Sequence, residues 1–195
     1  MKAQPTTAQA LLKAARKLFE KHGAEAVTMR RVGDAVGVSA MAIYRHYPNR
    51  QALLDRIATE AFVDLAAHLA AKATQTDPLA RLTQLADLHL DFALAHRRLY
   101  DYMFFAPRPG ARKYPDDFHA RGSPTANPLA DAVADAMRAG QLRDDDVWAV
   151  AFALSTQAHG LVALYLGGRF AFTLPQFRAF YHATLGRLID GLKAR

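Results

Sequence analysis

Residues 28–50 read Thr-Met-Arg-Arg-Val-Gly-Asp-Ala-Val-Gly-Val-Ser-Ala-Met-Ala-Ile-Tyr-Arg-His-Tyr-Pro-Asn-Arg. The pattern is that of two short helices joined by a tight turn. Thr28 can cap the first through its hydroxyl, and Val32, Ala35 and Val36 then fall on one face at three- and four-residue spacing. Gly37 stands just past the last apolar position, where the left-handed backbone that stops a helix carries no steric cost, and Val38 can tuck into the core beyond it. Ser39 caps a second helix running from Ala40 to about Tyr47, which Pro48-Asn49 closes. In that helix Ile43 and Tyr47 face inward. Ala40, Met41, Ala42, Tyr44, Arg45 and His46 are left outward, a surface slim enough to enter a major groove and flanked by groups that bond phosphate.

The competing reading is a helical hairpin inside a larger helical domain, its charges merely solvated. The charge distribution argues against it. Residues 1–56 hold ten basic residues against four acidic ones, so six of the formal +7 belong to the segment that carries the two helices. A field concentrated on a recognition motif suits a polyanion. A first helix over residues 7–22, capped by Thr6 or Thr7 and stopped by Gly23, should brace the motif with Leu11, Ala15, Leu18 and Phe19. Asn49 can cap a further helix from Arg50 to about Ala73, with Leu53, Leu54, Ile57, Ala61, Phe62, Leu65 and Leu69 repeating at helical spacing. Its start directs free backbone amides towards a phosphate, and its far end enters the second domain.

Residues 7–57 resemble the N-terminal domain of the TetR family of bacterial transcriptional regulators. Thr28-Met-Arg-Arg-Val, Gly37-Val-Ser, Ile43-Tyr-Arg-His-Tyr and Asn49-Arg-Gln-Ala-Leu-Leu stand at the family's relative positions. Two departures matter. Val32-Gly33 replaces the usual Ile-Ala, placing a helix-weakening glycine mid-helix, and Ala40-Met41-Ala42 makes the reading face unusually apolar, which suits thymine methyls and DNA shape. By position the resemblance implies phosphate anchoring by Thr28, Tyr44, His46, Tyr47 and Arg50, and base reading by Arg30, Ala40, Met41 and Ala42. Ser39 and Arg45 complete the implied DNA-binding set. Arg30 carries the strongest chemical case, because a guanidinium fork can take guanine O6 and N7 together.

Beyond the motif, Thr76-Asp77-Pro78 starts a helix that runs to about His96, with Leu79, Leu82, Leu85, Ala86, His89, Phe92 and Ala93 along one side. A short helix from Arg97 to Phe105 adds Leu99, Tyr100, Met103 and Phe104. This aromatic concentration is core packing for the most part, and helical regulators leave part of such a cluster open to a ligand. Residues 106–128 form a long irregular stretch that either folds over a pocket mouth, bringing Tyr114, Phe118 and His119 near, or simply connects. A helix from Asn127-Pro128 to Ala139 follows, stopped by Gly140. The ligand-binding candidates are His89, Phe92, Tyr100, Met103, Phe104, Phe118, Phe152 and His159.

No charged residue occurs between Val147 and Gly168. The run reaches bilayer-spanning length, but Ser155, Thr156, Gln157, His159 and Gly160 cluster within it, and no aromatic belt or lysine anchor flanks it. A helix apolar on most of its circumference is buried instead by its own domain and a partner. With a last helix from Gln176 to Leu192, started by Thr173-Leu174-Pro175, it suggests a four-helix dimer interface. The interface candidates are Leu161, Leu164, Tyr165, Phe177, Phe180, Tyr181, Leu185 and Leu188. The stretch from Ala158-His159-Gly160 to Phe170 is similar to the C-terminal signature of a TetR subgroup known by a Trp-His-Gly triplet, with Ala158 in the tryptophan's place. His159 then reads either as a polar contact for an effector or as a histidine satisfied within the core or the dimer seam.

The chain has no cysteine, which excludes a disulfide scaffold, a thiolate zinc site and a cysteine nucleophile. The first ten residues lack the apolar run of a signal peptide, so a cytoplasmic location is expected. His-Glu-x-x-His, Gly-x-Ser-x-Gly, P-loop and Gly-x-Gly-x-x-Gly patterns are all missing, and no catalytic residue is assigned. His89 and His96, with Asp87 and Asp91 nearby, have helical spacing for a metal, but solvated side chains are the commoner reading, so neither metal nor cofactor is expected. The expectation is an all-α chain, with a three-helix helix-turn-helix DNA-binding domain over residues 1–50 and a helical ligand-binding and dimerisation domain over residues 51–195. As a whole it reads as a transcriptional regulator, a repressor by family, that binds a palindromic operator in double-stranded DNA as a homodimer. A small hydrophobic or aromatic effector would control it, and no membrane is involved. A nonspecific DNA-coating protein, which would bind every duplex equally, and an enzyme of small apolar substrates, which would turn over without DNA, are the alternatives.

Overall fold

The computed structural model describes residues 6–194, apart from the side chain of Ala40. The charge of Lys2 and most of the signal-peptide reading therefore lie outside the described residues. Ten α-helices account for the architecture among them, and no strand occurs. Two compact units emerge, one from residues 1–64 and 96–111, the other from residues 65–95 and 112–195.

The first unit begins with α1 (Thr7–His22), whose start is a capping box. The Thr6 backbone N–H donates to the Gln9 side chain at 2.8 Å, while the Thr6 hydroxyl accepts from the Gln9 N–H at 3.3 Å. Its buried residues are Leu11, Leu12, Ala15 and Phe19, so Leu12 takes the place expected of Leu18. Gly23, with a φ of 84°, ends it, and a single 3-10 turn over Ala24–Ala26 follows. That turn leads into α2 (Met29–Val36), α3 (Ala40–Tyr44) and α4 (Arg50–Lys72).

Of the expected stripe, Val32 is fully buried and Val36 half-buried, whereas Ala35 is exposed and Met29 and Gly33 complete the face that α2 buries. Gly33 thus lies on the packed side, where a small residue lets the neighbouring helix approach closely. Gly37 is left-handed at φ 76°, and the Val38 N–H donates back to the Gly33 carbonyl at 3.0 Å, the closing bond of a Schellman turn. The expected division at residue 50 is not where the compact units part. Leu53, Leu54, Ile57, Ala58 and Ala61 of α4 are all 2% exposed or less, so this helix completes the core of the first unit before entering the second. Helix α6 (Arg97–Phe104) also belongs to the first unit, packing on α1 with Phe19 edge-on to Tyr102 at 5.3 Å.

The second unit holds α5 (Pro78–Ala95), α7 (Asp116–His119), α8 (Asn127–Arg138), α9 (Val147–Leu166) and α10 (Leu174–Leu192). Local chemistry sets their starts. Asp77 accepts from the Ala80 N–H at 2.8 Å, Asp146 from the Ala149 N–H at 2.6 Å, and the Gln176 side chain from the Thr173 N–H at 2.9 Å. Helix α5 packs against α8 and α9, and α9 against α8 and α10. The Tyr181 hydroxyl donates to the Ala86 carbonyl at 3.1 Å, and the Phe177 ring stacks on Tyr165 at 4.0 Å.

By length and composition alone, α9 passes the test for a membrane-crossing helix, yet only a third of that window is buried within the protomer (33%). The fold accounts for one side of it: Val150, Ala151, Leu154, Ala158, Leu161 and Val162 enter the core of the second unit.

Candidate functional site

The candidate nucleic-acid face is built from two capped helix starts. The Thr28 hydroxyl accepts from the Arg31 N–H at 3.2 Å and the Ser39 hydroxyl from the Ala42 N–H at 3.3 Å. A hydroxyl that accepts from the backbone keeps its own proton for an outside acceptor, so both caps can still donate to a phosphate. Ile43 is fully buried beneath α3. Met41 and Tyr44 are held out at 73% and 49% exposure, an unusual posture for large apolar side chains with no bound partner. Arg45 and His46 are exposed beside them, and Ala42 is half-buried. The side chain of Ala40 lies outside the described residues. Arg30 is 89% exposed, with Asp34 no closer than 4.0 Å, so its fork remains available.

Two of the expected phosphate anchors have other tasks. Tyr47 is half-buried, and its hydroxyl donates to the Ala8 carbonyl at 3.1 Å, fastening the end of α3 to α1. Burial raises its phenol above the ordinary value, so the proton stays and is committed to that carbonyl. Arg50 donates from Nε to the Val27 carbonyl at 2.8 Å and from Nη2 to the Ala24 carbonyl at 2.7 Å. Its guanidinium therefore braces the turn between α1 and α2, where Nη2 also meets the Glu25 carboxylate at 3.4 Å and part of the side chain stays exposed. Charge alone marked Arg50 in the sequence, and the backbone carbonyls it serves leave no signal there.

The ligand candidates fall into different places. Tyr100 and Met103 are buried in the first unit. Phe104, half-buried, meets Phe62 edge-on at 5.3 Å in the same unit. Phe92, also half-buried, lies on α5 in the second unit. In that unit Tyr114 and Phe118 do fold in from the irregular stretch. The Tyr114 ring lies 4.5 Å from Phe152, and Phe118 lies 5.4 Å from Phe152 and 6.0 Å from Trp148. Trp148 and helix α7 went unforeseen. His89 and His159 face each other, Nε2 to Nδ1 at 3.3 Å.

Desolvation lowers both imidazoles, His159 to about 4 and His89 well below its ordinary value, the latter also through its neighbour. A folded pKa below the unfolded one means that the unfolded chain binds more protons. Stability is then complete above pH 6.5 and is lost as pH falls towards 4. Because solvent still reaches the half-buried ring, His159 should contribute a loss of roughly 2 kcal/mol across that window. Melting temperature measured from pH 7.5 to pH 4.5 checks this: His159→Gln should flatten the slope, and an unchanged slope would remove the histidine from the account.

The expected dimer face also needs correction. Leu161, Phe177, Tyr181 and Leu185 are all 7% exposed or less and belong to the protomer's own core. Tyr165, Phe180 and Leu188 are half-buried, and Leu164 alone of the set is exposed, at 48%. What α9 does present to solvent is Ala149, Ala153, Thr156, Gly160 and Leu164, at successive spacings of four, three, four and four. Helix α10 exposes Ala179 and Ala183, with Gln176 before them and Arg187 and Asp190 after them. Among the described residues no group of three or more histidine, aspartate or glutamate side chains could hold a metal ion. Asp87 receives His182 Nε2 at 2.9 Å, and Asp91 is paired with Arg178.

Residues 11–57 match the family model for bacterial regulatory proteins, tetR family. Residues 82–188 match that for a tetracyclin repressor-like C-terminal domain. The chain is 37% identical over 82 residues to the nucleoid occlusion factor SlmA of Pasteurella multocida, spanning 39% of each chain. It is 32% identical over 111 residues to the class A tetracycline repressor from transposon 1721 of Escherichia coli, spanning 57% of this chain and 44% of that one. It thus aligns with less than half the length of either relative. Among solved structures, a Rhodococcus sp. RHA1 protein of unknown function superposes with a TM-score of 0.80 at 27% identity, over 98% of this chain and 97% of the other. FadR of Bacillus subtilis, solved with stearoyl-CoA, does so with a TM-score of 0.72 at 13% identity, over 94% and 98%.

Proposed function

The chain belongs to the tetR family of bacterial regulatory proteins and is a DNA-binding transcription regulator, and from that premise we propose that it binds a palindromic operator as a homodimer and releases it on binding a small effector. The observation that carries this reading is the face of α3. Met41 and Tyr44 stand exposed on α3, which the fully buried Ile43 anchors to the first unit from beneath. Residues 1–50 supply the DNA contacts. Thr28, Ser39, Tyr44 and His46 hold phosphate, and Arg30, Met41 and Ala42 meet base edges, with Arg45 beside them. As a non-enzyme acting on DNA the protein works in the cytoplasm.

Dimerisation is assigned to the exposed stripe of α9 and to Ala179 and Ala183 of α10, which support it by being mostly small-sided and uncovered in the protomer. Two such protomers place their α3 helices in successive major grooves, so the half-sites lie about one helical turn, or a small multiple, apart. The effector site is assigned to the helical region beyond residue 50. Supporting this, the FadR fold neighbour holds stearoyl-CoA, and half-buried aromatic rings concentrate in the second unit. The ligand is a hydrophobic or aromatic small molecule that favours the dimer whose reading helices are wrongly spaced.

Selection from a pool of random duplex DNA at moderate salt tests the DNA reading. Enrichment of a palindrome supports it, and retention without enrichment would replace it with nonspecific coating. On the selected operator, Arg30→Ala should relax discrimination at one position per half-site by about 1–3 kcal/mol. Competition titrations against single-base variants measure this, and a loss uniform over all variants would move Arg30 to the phosphate contacts.

A further inference from the structure

Helix α9 has a third face. Between its core side and its exposed stripe lie Trp148, Phe152, Ser155 and His159, at successive spacings of four, three and four, all of them half-buried. Its first turns meet the rings of Tyr114 and Phe118. At its far end the His159 ring meets His89 of α5 edge-on, centroids 4.4 Å apart. His89 projects from the side of α5 that also carries Leu82, Leu85 and Ala93, each 5% exposed or less, yet it keeps accessible surface where they do not. A histidine on the packed side of a helix that keeps accessible surface, while protein atoms crowd it closely enough to lower its basicity, lines a recess.

We propose that the recess along this face, from Trp148 to His159, binds a flat, uncharged aromatic molecule carrying one hydroxyl or carbonyl oxygen. The rings take its apolar body and the histidine pair its oxygen. The inference rests on the reading that the second unit holds an effector site, and it names the chemistry of that ligand.

Two neutral imidazoles that share one hydrogen bond have two further nitrogens, one an N–H and the other bare. Exchanging tautomers across the shared bond exchanges those roles. Nδ1 of His89 is buried, so a ligand oxygen meets the pair at Nε2 of His159, in place of whatever that nitrogen now contacts, and donates or accepts there according to the tautomer. With His159 titrating at about 4, only about one ring in a thousand is protonated at pH 7. A carboxylate would lose its hydration against a pair that offers no charge. The ionic groups on α5 and α10 do not alter this, because Arg178 is paired with Asp91 and Asp87, and Asp87 also with His182.

Calorimetric titration of the full-length protein with 2-naphthol, 2-naphthoate and naphthalene holds the ring system constant and varies only the polar group. 2-Naphthol should bind at least about tenfold more tightly than either of the others. It should also quench the emission of Trp148, the single tryptophan of the chain. His159→Phe should cost 2-naphthol about tenfold and leave naphthalene unchanged, and His159→Gln, which keeps a donor and an acceptor, should restore most of the difference. If 2-naphthoate binds as tightly as 2-naphthol, or if His159→Phe leaves 2-naphthol unaffected, the polar assignment is wrong while an effector site stands. Failure of all three to bind would overturn the recess as an aromatic site. Whether any effector releases the operator is then decided separately, by a DNA-release assay over a broad compound panel.

Discussion

Gly160→Arg is expected to leave the protomer folded, to convert the dimer to a monomer and to weaken operator binding by about a hundredfold or more. Gly160 is exposed, and a Cβ built on it meets no heavy atom within 4 Å, so the isolated protomer has room for the new side chain. A helical glycine replaced by a better helix former should even gain a few tenths of a kcal/mol. The proposed dimer would have no such room. Ala149, Ala153, Thr156, Gly160 and Leu164 make a shallow stripe along which a partner helix can approach closely, and a guanidinium at its centre is buried without a counter-charge.

Separated protomers each grip one half-site, and the second grip loses the millimolar effective concentration that linkage supplies. Sedimentation velocity and circular dichroism distinguish the cases. A monomer with unchanged helix content supports the assignment, and Ala183→Arg on the exposed side of α10 should repeat the result. A dimer that persists in both variants would place the interface elsewhere.

The correction behind that prediction shows where sequence patterning stops being informative. Helix starts and stops were legible because their chemistry is local. Thr6 with Gln9, Thr28, Ser39, Asn49 and Asp77 each bond a backbone amide within three residues, and Gly23 and Gly37 each adopt a positive φ that their position requires. The face that a helix buries is legible only when its polar residues are asymmetric. Helix α9 has apolar residues around nearly its whole circumference, so Leu161, in the core, and Leu164, outside it, look alike in sequence.

The same limit explains Phe177, Tyr181 and Leu185. Large side chains read in sequence as a partner face, whereas Phe177, Tyr181 and Leu185 fill the core of the second unit and small residues of α9 face outward. Tyr181 carries its reason in a single bond to the Ala86 carbonyl, ninety-five positions away, which no periodicity encodes. The nucleic-acid face was more legible than the ligand region. It is one contiguous stretch with its own caps, while the ligand candidates were gathered from separate helices by residue type alone.

Arg50 is where charge and geometry predict different outcomes, and geometry is expected to prevail. If Arg50 gripped phosphate, Arg50→Ala would lower the salt dependence of DNA binding by about 0.9 in logarithmic slope and leave the fold untouched. The structure commits its Nε to the Val27 carbonyl and its Nη2 to the Ala24 carbonyl. These bonds run from the first turn of α4 to the 3-10 turn that delivers the chain to Thr28 and α2. Charge-assisted bonds to backbone carbonyls contribute about 1.5–3 kcal/mol when removal strands the acceptor; the Ala24 carbonyl keeps the Val27 N–H at 3.0 Å, so the loss falls mainly at the Val27 carbonyl and Arg50→Ala should cost roughly 1.5–3 kcal/mol of stability.

Arg50→Lys keeps the charge but replaces a planar fork with a single ammonium that does not match both carbonyls, and it should lose about half as much. DNA affinity should fall for specific and nonspecific duplexes together, because Thr28 and Arg30 follow the turn that Arg50 holds. The salt slope measured on the folded fraction should stay at the wild-type value. Thermal unfolding of both variants, with binding titrations at several salt concentrations below their melting temperatures, separates the two roles. Wild-type stability in Arg50→Lys together with a reduced slope in Arg50→Ala would return the residue to the phosphate backbone.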